Sequence, residues 1–404
     1  MPPPEPGASA LFGHAAEGLV HPPDYYGGGI TNLLASLCRA MGGGETGYPG
    51  LSGFDPQRLA RARHIVLLVI DGLGYDYLCS AGAGSLMASH CRARLTSVCP
   101  STTTTAIPLF LTGLPPQQHG FTGWFTYFSE LGSVLAVLPF RARLGGASLE
   151  TVLQPTDLSA VTPLSGRIAW PSRQLMPQWI ADSCFNRSYS GASRIGAFAD
   201  LAGLRRALKR ALWRANGQSY SYLYWPEFDS LAHHYGVQSR EVALHFAELD
   251  ALFGQLKEDL RGSDTLLLVT ADHGFIDTTP QRTISLQNHP ELQRMLMTPL
   301  CGEPRFAFSY IHPRRQRDFE QYAAERFAEQ LWLLPSEQLL EAGWFGLGEP
   351  HPRLHQRIGH YALVMKENWT IIGTLPGERA PGHIGVHGGV SAAEMHVPLI
   401  YAEC

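Results

Sequence analysis

The feature that most constrains the fold is an apolar run that ends in a carboxylate. In the segment HIVLLVIDGLG, every residue from Ile65 to Ile70 is apolar, and Asp71 and two glycines of the same segment follow. Such a run predicts a strand covered on both faces, as in parallel sheets, and open α/β sheets bind ligands at the carboxyl ends of such strands. An alternative is that Asp71 only caps the helix that follows.

Two later segments also place Asp and His side chains after a predicted strand. In TLLLVTADHGF the apolar run 266–269 leads to Asp272 and His273, and the strand-like SYSYLYW leads to PEFDSLAHHYG, where Asp229 and His233 are spaced i,i+4. On a helix that spacing puts both side chains on one face, although it also occurs by chance on surface helices. Carboxylate and imidazole groups at strand ends predict a metal site.

A threonine run precedes an apolar helical stretch in CPSTTTTAIPLFLTG. The hydroxyl side chains predict a helix start, and capping alone would explain them. The functional interpretation is that one threonine extends from the helix N-terminus, where exposed N–H groups and the helix dipole stabilise a phosphoryl group.

Two further segments are candidates for the site. The stretch HGFTGWFTYF, from His119 to Phe128, contains Trp124, Phe125 and Tyr127 and is predicted to line a pocket, the alternative being plain core. In GHIGVHGGV, His387 has glycines nearby that allow the backbone to reach a metal, the alternative being a flexible surface loop.

Composition excludes several classes of protein. Hydrophobic residues make up 45% and charged residues 16% of the 404 residues, and a formal net charge of -4 argues against a nucleic-acid polymer as partner. Seven cysteines without a CxxC pair favour a reducing compartment. No signal-peptide pattern and no apolar stretch of about 18 residues is visible, so we expect a cytoplasmic protein that does not contact a membrane.

The domain organisation follows from where the regular patterns stop. Residues 1–25 are rich in Pro, Gly and Ala and predict an irregular arm. Residues 26–404 are predicted to form a single catalytic α/β domain, in which the irregular stretches at about 125–215 and 276–385 are insertions that cap the core. The oligomeric state does not follow from the sequence.

The order of these motifs resembles a known family. Through IDGLG, PSTTTT with TGLPPQQHG, PEFDSLAHHYG, TADHG and VHGG, the chain resembles the alkaline phosphatase superfamily and, within it, the type I phosphodiesterase and nucleotide pyrophosphatase family. The resemblance covers most of the chain from about Tyr26 onward. It implies a doubly wound, mostly parallel sheet flanked by helices, and a phosphoester hydrolase acting on a small molecule.

The resemblance also implies roles for individual residues. Two zinc ions are expected, one held by Asp229, His233 and His387 and the other by Asp71, Asp272 and His273. Thr103 matches the family's nucleophile by its spacing from Pro100 and from Gly113, with Thr102 and Thr104 as fallback candidates. It would attack phosphorus and carry the phosphoryl group covalently.

One departure from the family pattern bears on the substrate. Nucleotide pyrophosphatases of this family carry an Asn three residues after the nucleophile, where this chain has Ala106. The backbone N–H groups of Thr103 and Thr104 are then the expected oxyanion donors, with Thr104 counted among the substrate-binding residues. Alternatives on the same site are hydrolysis of phosphomonoesters, phosphonates or sulfate esters, and a non-catalytic binding protein of the same fold.

Overall fold

The computed structural model describes residues 11–13 and 16–404. The predicted N-terminal arm, 1–25, therefore lies partly outside the described residues. The strands, in chain order, are β1 (His64–Ile70), β2 (Cys91–Thr96), β3 (Phe125–Phe128), β4 (Ser133–Ala136), β5 (Arg141–Ala142), β6 (Ser172–Pro177), β7 (Arg194–Phe198), β8 (Ser219–Trp225), β9 (Thr265–Thr270), β10 (Ile276–Asp277), β11 (Thr283–Ser285), β12 (Cys301–Glu303), β13 (Phe306–Ser309), β14 (Leu331–Pro335), β15 (Tyr361–Met365), β16 (Thr370–Ile372), β17 (Gly385–Val386) and β18 (His396–Glu403).

The α-helices from Ile30 onward are mostly short, with three longer ones between 201 and 327. They are α1 (Ile30–Ala40), α2 (Pro56–Arg61), α3 (Tyr75–Cys79), α4 (Leu86–Ser89), α5 (Thr103–Thr112), α6 (Pro116–His119), α7 (Pro155–Leu158), α8 (Gln178–Ala181), α9 (Cys184–Ser190), α10 (Leu201–Trp213), α11 (Glu227–Tyr235), α12 (Arg240–Leu260), α13 (Pro290–Gln293), α14 (Gln316–Phe327), α15 (Ser336–Glu341), α16 (Leu354–Arg357) and α17 (Ala392–Met395). No helix among the described residues is both long enough and apolar enough to cross a membrane.

Strand β1 lies at the centre of a seven-stranded sheet with the order β2-β18-β9-β1-β8-β6-β7. It pairs in parallel with β8 and β9, and all seven of its residues are buried, as the continuous apolar run predicts. Strand β18 alone runs antiparallel to its neighbours in this sheet. The mostly parallel sheet flanked by helices confirms the predicted α/β fold class.

The register of the central strands brings their carboxyl ends to one edge. Ile70 pairs with Trp225 of β8, and Val69 pairs with Thr270 of β9. The residues that follow these three strands therefore emerge side by side. This edge carries the polar side chains that the sequence analysis singled out.

A second seven-stranded sheet combines the two predicted insertions. Its order is β14-β15-β13-β12-β3-β4-β5, and all its pairings are antiparallel. Strands β3 to β5 come from the first insertion and β12 to β15 from the second. Stretches that are far apart in the chain thus build one structure beside the main sheet.

The predicted boundary of the first insertion, 125–215, is wrong at its C-terminal side. Strands β6 and β7 and helix α10 fall within that range, yet the two strands form one edge of the main sheet. The physical reason is that neither strand has a continuous apolar run. β6 mixes polar and apolar residues, and four of the five residues of the edge strand β7 are not buried, so hydrophobic patterning does not reveal them.

Candidate active site

The first group of polar side chains comes from the ends of β1 and β9. Asp71, Asp272 and His273 are all buried, and each offers one ligand atom to a group whose members lie within 4.8 Å of one another. His273 Nε2 is 3.3 Å from Asp71 Oδ1 and 3.5 Å from Asp272 Oδ2. Asp272 Oδ1 accepts hydrogen bonds from the backbone N–H groups of Gly72 (3.0 Å) and His273 (3.1 Å), which fixes this carboxylate across the gap between the strands.

Gly72 makes the turn after β1 possible. Its φ of +78° lies in the left-handed region, and a Cβ atom there would come within 2.4 Å of the Phe275 ring. Only glycine fits both conditions without strain.

The second group comes from helix α11 and from the loop after β17. Asp229 and His233 lie one turn apart on α11, as predicted, with 3.4 Å between Oδ1 and Nε2. His387 Nε2 lies 3.2 Å from His233 Nε2 and 3.7 Å from Asp229 Oδ1. The two groups touch, because the rings of His273 and His387 stack with their centroids 3.7 Å apart.

The histidines are oriented by backbone carbonyl groups. His233 Nδ1 is 2.8 Å from Gly385 O, and His273 Nδ1 is 3.1 Å from Gly274 O. A proton on each Nδ1 donates to that carbonyl and leaves Nε2 with its lone pair, which is the form that ligates a metal.

The pKa values of the Asp and His side chains in the two groups indicate that bound cations would stabilise both groups. Burial raises the pKa of Asp71 to about 6 and that of Asp272 to about 8, and it raises the pKa of Asp229 well above its ordinary value. Burial also lowers the pKa of His233 to about 3 and that of His387 well below its ordinary value, so these imidazoles are neutral. Two buried carboxylates, Asp71 and Asp272, and the half-buried Asp229 lie beside neutral imidazoles, so their charged forms lack compensating positive charge.

Buried carboxylate oxygens without hydrogen-bond partners also favour a bound cation. Within the described part of the chain, Asp229 Oδ1 and Asp272 Oδ2 are buried without a hydrogen-bond partner. Since buried polar atoms are normally paired, these two oxygens are free to act as ligands. The donor set of carboxylate oxygens and imidazole nitrogens fits zinc or another divalent transition metal.

The Thr103 hydroxyl lies against the first group. It begins helix α5, and its Oγ1 is 3.1 Å from His273 Nε2 and 3.5 Å from Asp71 Oδ1. The preceding residue, Thr102, makes no side-chain cap, because its hydroxyl donates to Glu303 Oε1 at 2.8 Å. The N–H groups at this helix start are therefore left without a capping side chain.

Thr104 and Ala106 do not offer side chains to this site. Both are fully buried, and the Thr104 hydroxyl has no hydrogen-bond partner among the described residues. Any part that Thr104 takes in binding is therefore assigned to its backbone N–H group in the first turn of α5.

The three aromatic residues predicted to bind substrate have different surroundings. Trp124 is 39% exposed, and its backbone N–H donates to Glu303 Oε1 at 2.7 Å, which ties it to the threonine turn. The guanidinium of Arg143 stacks 3.9 Å from the Phe125 ring centroid, and Tyr127 packs edge-on against Tyr310. The last two are thus engaged with neighbouring residues of the second sheet and its surroundings.

Two residues near the site were missed by the sequence analysis. Tyr224, near the end of β8, donates its hydroxyl to Asp71 Oδ2, and Glu303 in β12 holds both Thr102 and Trp124. Tyr224 could have been found as the last tyrosine of the strand that precedes the Asp229 helix. Glu303 stands in CGEPR, which carries no local signal.

The fold is that of the alkaline-phosphatase-like α/β proteins. A family model described as type I phosphodiesterase / nucleotide pyrophosphatase matches residues 65–389, and the chain belongs to this family. That family of phosphoester hydrolases is the one the motifs predicted.

Individual relatives share 16–28% sequence identity with this chain. The chain is 28% identical over 137 residues to ectonucleotide pyrophosphatase/phosphodiesterase family member 7 of Rattus norvegicus, a match that spans 33% of this chain and 26% of that relative. Among solved structures, murine ectonucleotide pyrophosphatase/phosphodiesterase 5 has a TM-score of 0.64 at 18% identity, covering 83% of this chain and 87% of that chain. The human protein of the same name has a TM-score of 0.62 at 16% identity, with the same coverage. An inactive threonine-to-alanine variant of the murine protein, in complex with AMP, has a TM-score of 0.63 at 18% identity, again with the same coverage.

Proposed function

We propose that this protein is a two-zinc phosphodiesterase that uses Thr103 as its nucleophile. The observation that carries the proposal is the position of the Thr103 hydroxyl, 3.1 Å from His273 Nε2 and 3.5 Å from Asp71 Oδ1, at an uncapped helix N-terminus. A hydroxyl beside metal-ligating groups and exposed N–H donors is suited to attack on a phosphoryl centre.

The six carboxylate and imidazole side chains would hold the metals in two sets. One set is Asp229, His233 and His387, and the other is Asp71, Asp272 and His273, with the Thr103 hydroxyl beside it. Bound zinc supplies Lewis-acid chemistry, which makes an oxygen nucleophile more acidic and neutralises charge on the leaving oxygen.

The residues around the helix start would carry out the two bond-making steps of the reaction. Thr103 Oγ1 gives up its proton to solvent and forms a bond to phosphorus while the bond from phosphorus to the leaving oxygen breaks. The leaving oxygen takes up a proton from solvent, and the phosphoryl group stays on Thr103 as a phosphoryl-threonine. The N–H groups of Thr103 and Thr104 donate to the phosphoryl oxygens. The oxygen of a water molecule then forms a bond to phosphorus as the bond between phosphorus and Thr103 Oγ1 breaks. A proton returns to Thr103 Oγ1, and the phosphoryl product is released.

The inactive murine variant supports a threonine nucleophile. In that relative a threonine-to-alanine change accompanies loss of activity, and AMP is bound. A nucleoside monophosphate is the product that a nucleotide phosphodiesterase releases. We therefore propose small diesters, with aromatic or nucleoside leaving groups, as the substrates.

A buried ion pair supports diesters over monoesters. Arg305 follows Glu303 closely in the chain, but its guanidinium is buried and bonded to Glu394 at 2.8 and 3.0 Å. It is therefore not free to bind the extra negative charge of a monoester. Rates on nitrophenyl phosphate diesters and monoesters, measured side by side, test this preference.

Thr103→Ala tests the nucleophile. We expect turnover of a nitrophenyl diester to fall by more than about a thousandfold, because the attacking oxygen is removed while the six proposed metal ligands remain. Metal content, measured by elemental analysis, should stay close to two ions per chain. Thr102→Ala and Thr104→Ala serve as controls, and a Thr102→Ala protein that is dead while Thr103→Ala is active would refute the assignment.

Trp124→Ala tests the leaving-group pocket. Because the exposed indole is tied to the threonine turn through its backbone, it is available to stack on a planar leaving group. We expect kcat/KM to fall about tenfold or more for an aromatic diester and much less for a methyl phosphate ester. Equal losses on both substrates would mean that Trp124 is only structural.

We also propose that the protein acts in the cytoplasm. All seven cysteines are free thiols, which suits a reducing compartment. Cell fractionation with an antibody against this chain tests the proposal.

A further inference from the structure

We propose a second anion-binding site, distinct from the candidate active site, that takes a small molecule carrying two or more phosphate groups. The site is a cavity of about 360 Å³ at the β7 edge of the main sheet. Four arginines line it: Arg173 of β6, Arg194 of β7, and Arg210 and Arg214 at the C-terminal end of α10.

The arginines converge because of the sheet register and the helix spacing. Arg173 and Arg194 are directly paired across β6 and β7, so their side chains leave the same face of the sheet. Arg210 and Arg214 are spaced i,i+4 and lie on one side of the helix end. The other lining residues are small or apolar, and none is a carboxylate.

These four guanidinium groups have no partner within the described residues. No ion pair, side-chain hydrogen bond or cation–π contact involves any of them, whereas Arg205 and Arg206 of the same helix pair with Asp259 and Asp200. Burial, followed by repulsion from Arg194 and Arg214, lowers the pKa of Arg173. Like charges held together in this way are stabilised by an anion.

Simpler explanations account for single arginines but not for the group. A charged residue on an edge strand such as β7 discourages pairing with another sheet. Cations at a helix C-terminus interact favourably with the helix dipole. The first explains only Arg194, and the second explains only Arg210 and Arg214. Neither requires Arg173 to join them around one cavity without an acidic residue.

The site is separate from the metal-ligand cluster. Arg173 and Arg194 lie at the amino ends of their strands, whereas Asp71 follows the carboxyl end of the parallel strand β1. Strands β8 and β6 intervene between β1 and the edge strand β7.

The volume and the lining of the cavity indicate the kind of ligand. The volume suits a small molecule. The four guanidinium groups suit phosphate groups, which Arg binds in bidentate fashion.

The test is calorimetric titration of the zinc-loaded protein with inorganic tripolyphosphate. The variant Arg173→Gln/Arg194→Gln should bind it at least tenfold more weakly at the proposed site, with diester hydrolysis unchanged. The control is Arg92→Gln/Arg94→Gln, which removes two exposed arginines from the opposite edge strand, β2, and should bind as wild type does. Any binding at the active site contributes equally to both.

A second double variant distinguishes loss of the proposed site from misfolding. Arg210→Gln/Arg214→Gln removes the charges from the helix side and should give the same loss, with thermal unfolding as the check on fold. Equal tripolyphosphate binding by both pocket variants and the control would overturn the proposal. So would equal affinity for orthophosphate, or binding of a DNA duplex without binding of tripolyphosphate.

Discussion

Asp71 uses its two carboxylate oxygens for different contacts. Oδ2 accepts a hydrogen bond from Tyr224, while Oδ1 faces His273 and Thr103. The tyrosine therefore fixes the orientation of the oxygen that is proposed to ligate a metal. Partners of this kind tune metal affinity even though they do not touch the metal.

Tyr224→Phe tests that role. We expect zinc affinity to fall by roughly 10–100-fold, because the ring still fills the core but the carboxylate loses its donor. A competitive chelator titration measures it. Tyr222→Phe is the matched control, since Tyr222 lies on the same strand and its buried hydroxyl has no partner within the described residues. Similar affinities for the two variants would contradict the assignment.

At the scale of elements, Glu303 joins three parts of the fold. From strand β12 of the second sheet it accepts hydrogen bonds from the Thr102 hydroxyl at the start of α5 and from the N–H of Trp124 just before β3. Burial raises the pKa of Glu303 to about 7. The second sheet thus contributes directly to the position of the threonine turn.

Glu303→Ala tests this connection. It leaves the Thr102 hydroxyl and the Trp124 N–H without their acceptor, and each unsatisfied group costs about 1–3 kcal/mol. We expect the free energy of unfolding in urea to fall by about 2 kcal/mol or more, and kcat to fall as well. Glu303→Gln keeps a carbonyl oxygen and should be milder. Wild-type stability in the alanine variant would show that the contacts are dispensable.

For the whole molecule, the cluster of buried carboxylates links stability to metal and to pH. In the metal-free protein the pKa of Asp272 is raised to about 8 by burial and by Asp71. The folded state therefore binds more protons than the unfolded state, and stability falls as pH rises through that value. The buried histidines oppose this only below about pH 6.5, because their unfolded forms titrate there.

Chelated protein should accordingly lose stability between about pH 6.5 and pH 8, on the order of 1–2 kcal/mol. Urea unfolding at both pH values measures it. Added zinc should raise the melting temperature, since a ligand that binds only the folded state stabilises it. Asp272→Asn is the control and should flatten the slope in chelator. A chelated protein whose stability rises over this interval would contradict the sign.

The central strands and the candidate residues at their ends follow from local patterns in the sequence. An apolar run that stops at Asp71, and another that stops at Asp272, are local patterns with a physical cause, because a strand buried on both faces must be apolar throughout. The same holds for the Asp229 and His233 pair, which follows from the period of a helix. Thr103 and the six proposed ligands were found in this way or through family motifs, and the fold brings them together.

The contacts that join distant segments follow from packing and could not be predicted from the sequence. Glu303, the hydroxyl of Tyr224 on Asp71 and the stack of His273 on His387 depend on packing between elements, for which no local pattern exists. Strand β7 was missed because an edge strand is partly exposed and needs no apolar run, and β6 was missed because it mixes polar and apolar residues although most of it is buried. The four arginines are scattered from 173 to 214, and only strand register and a helix end bring them to one cavity.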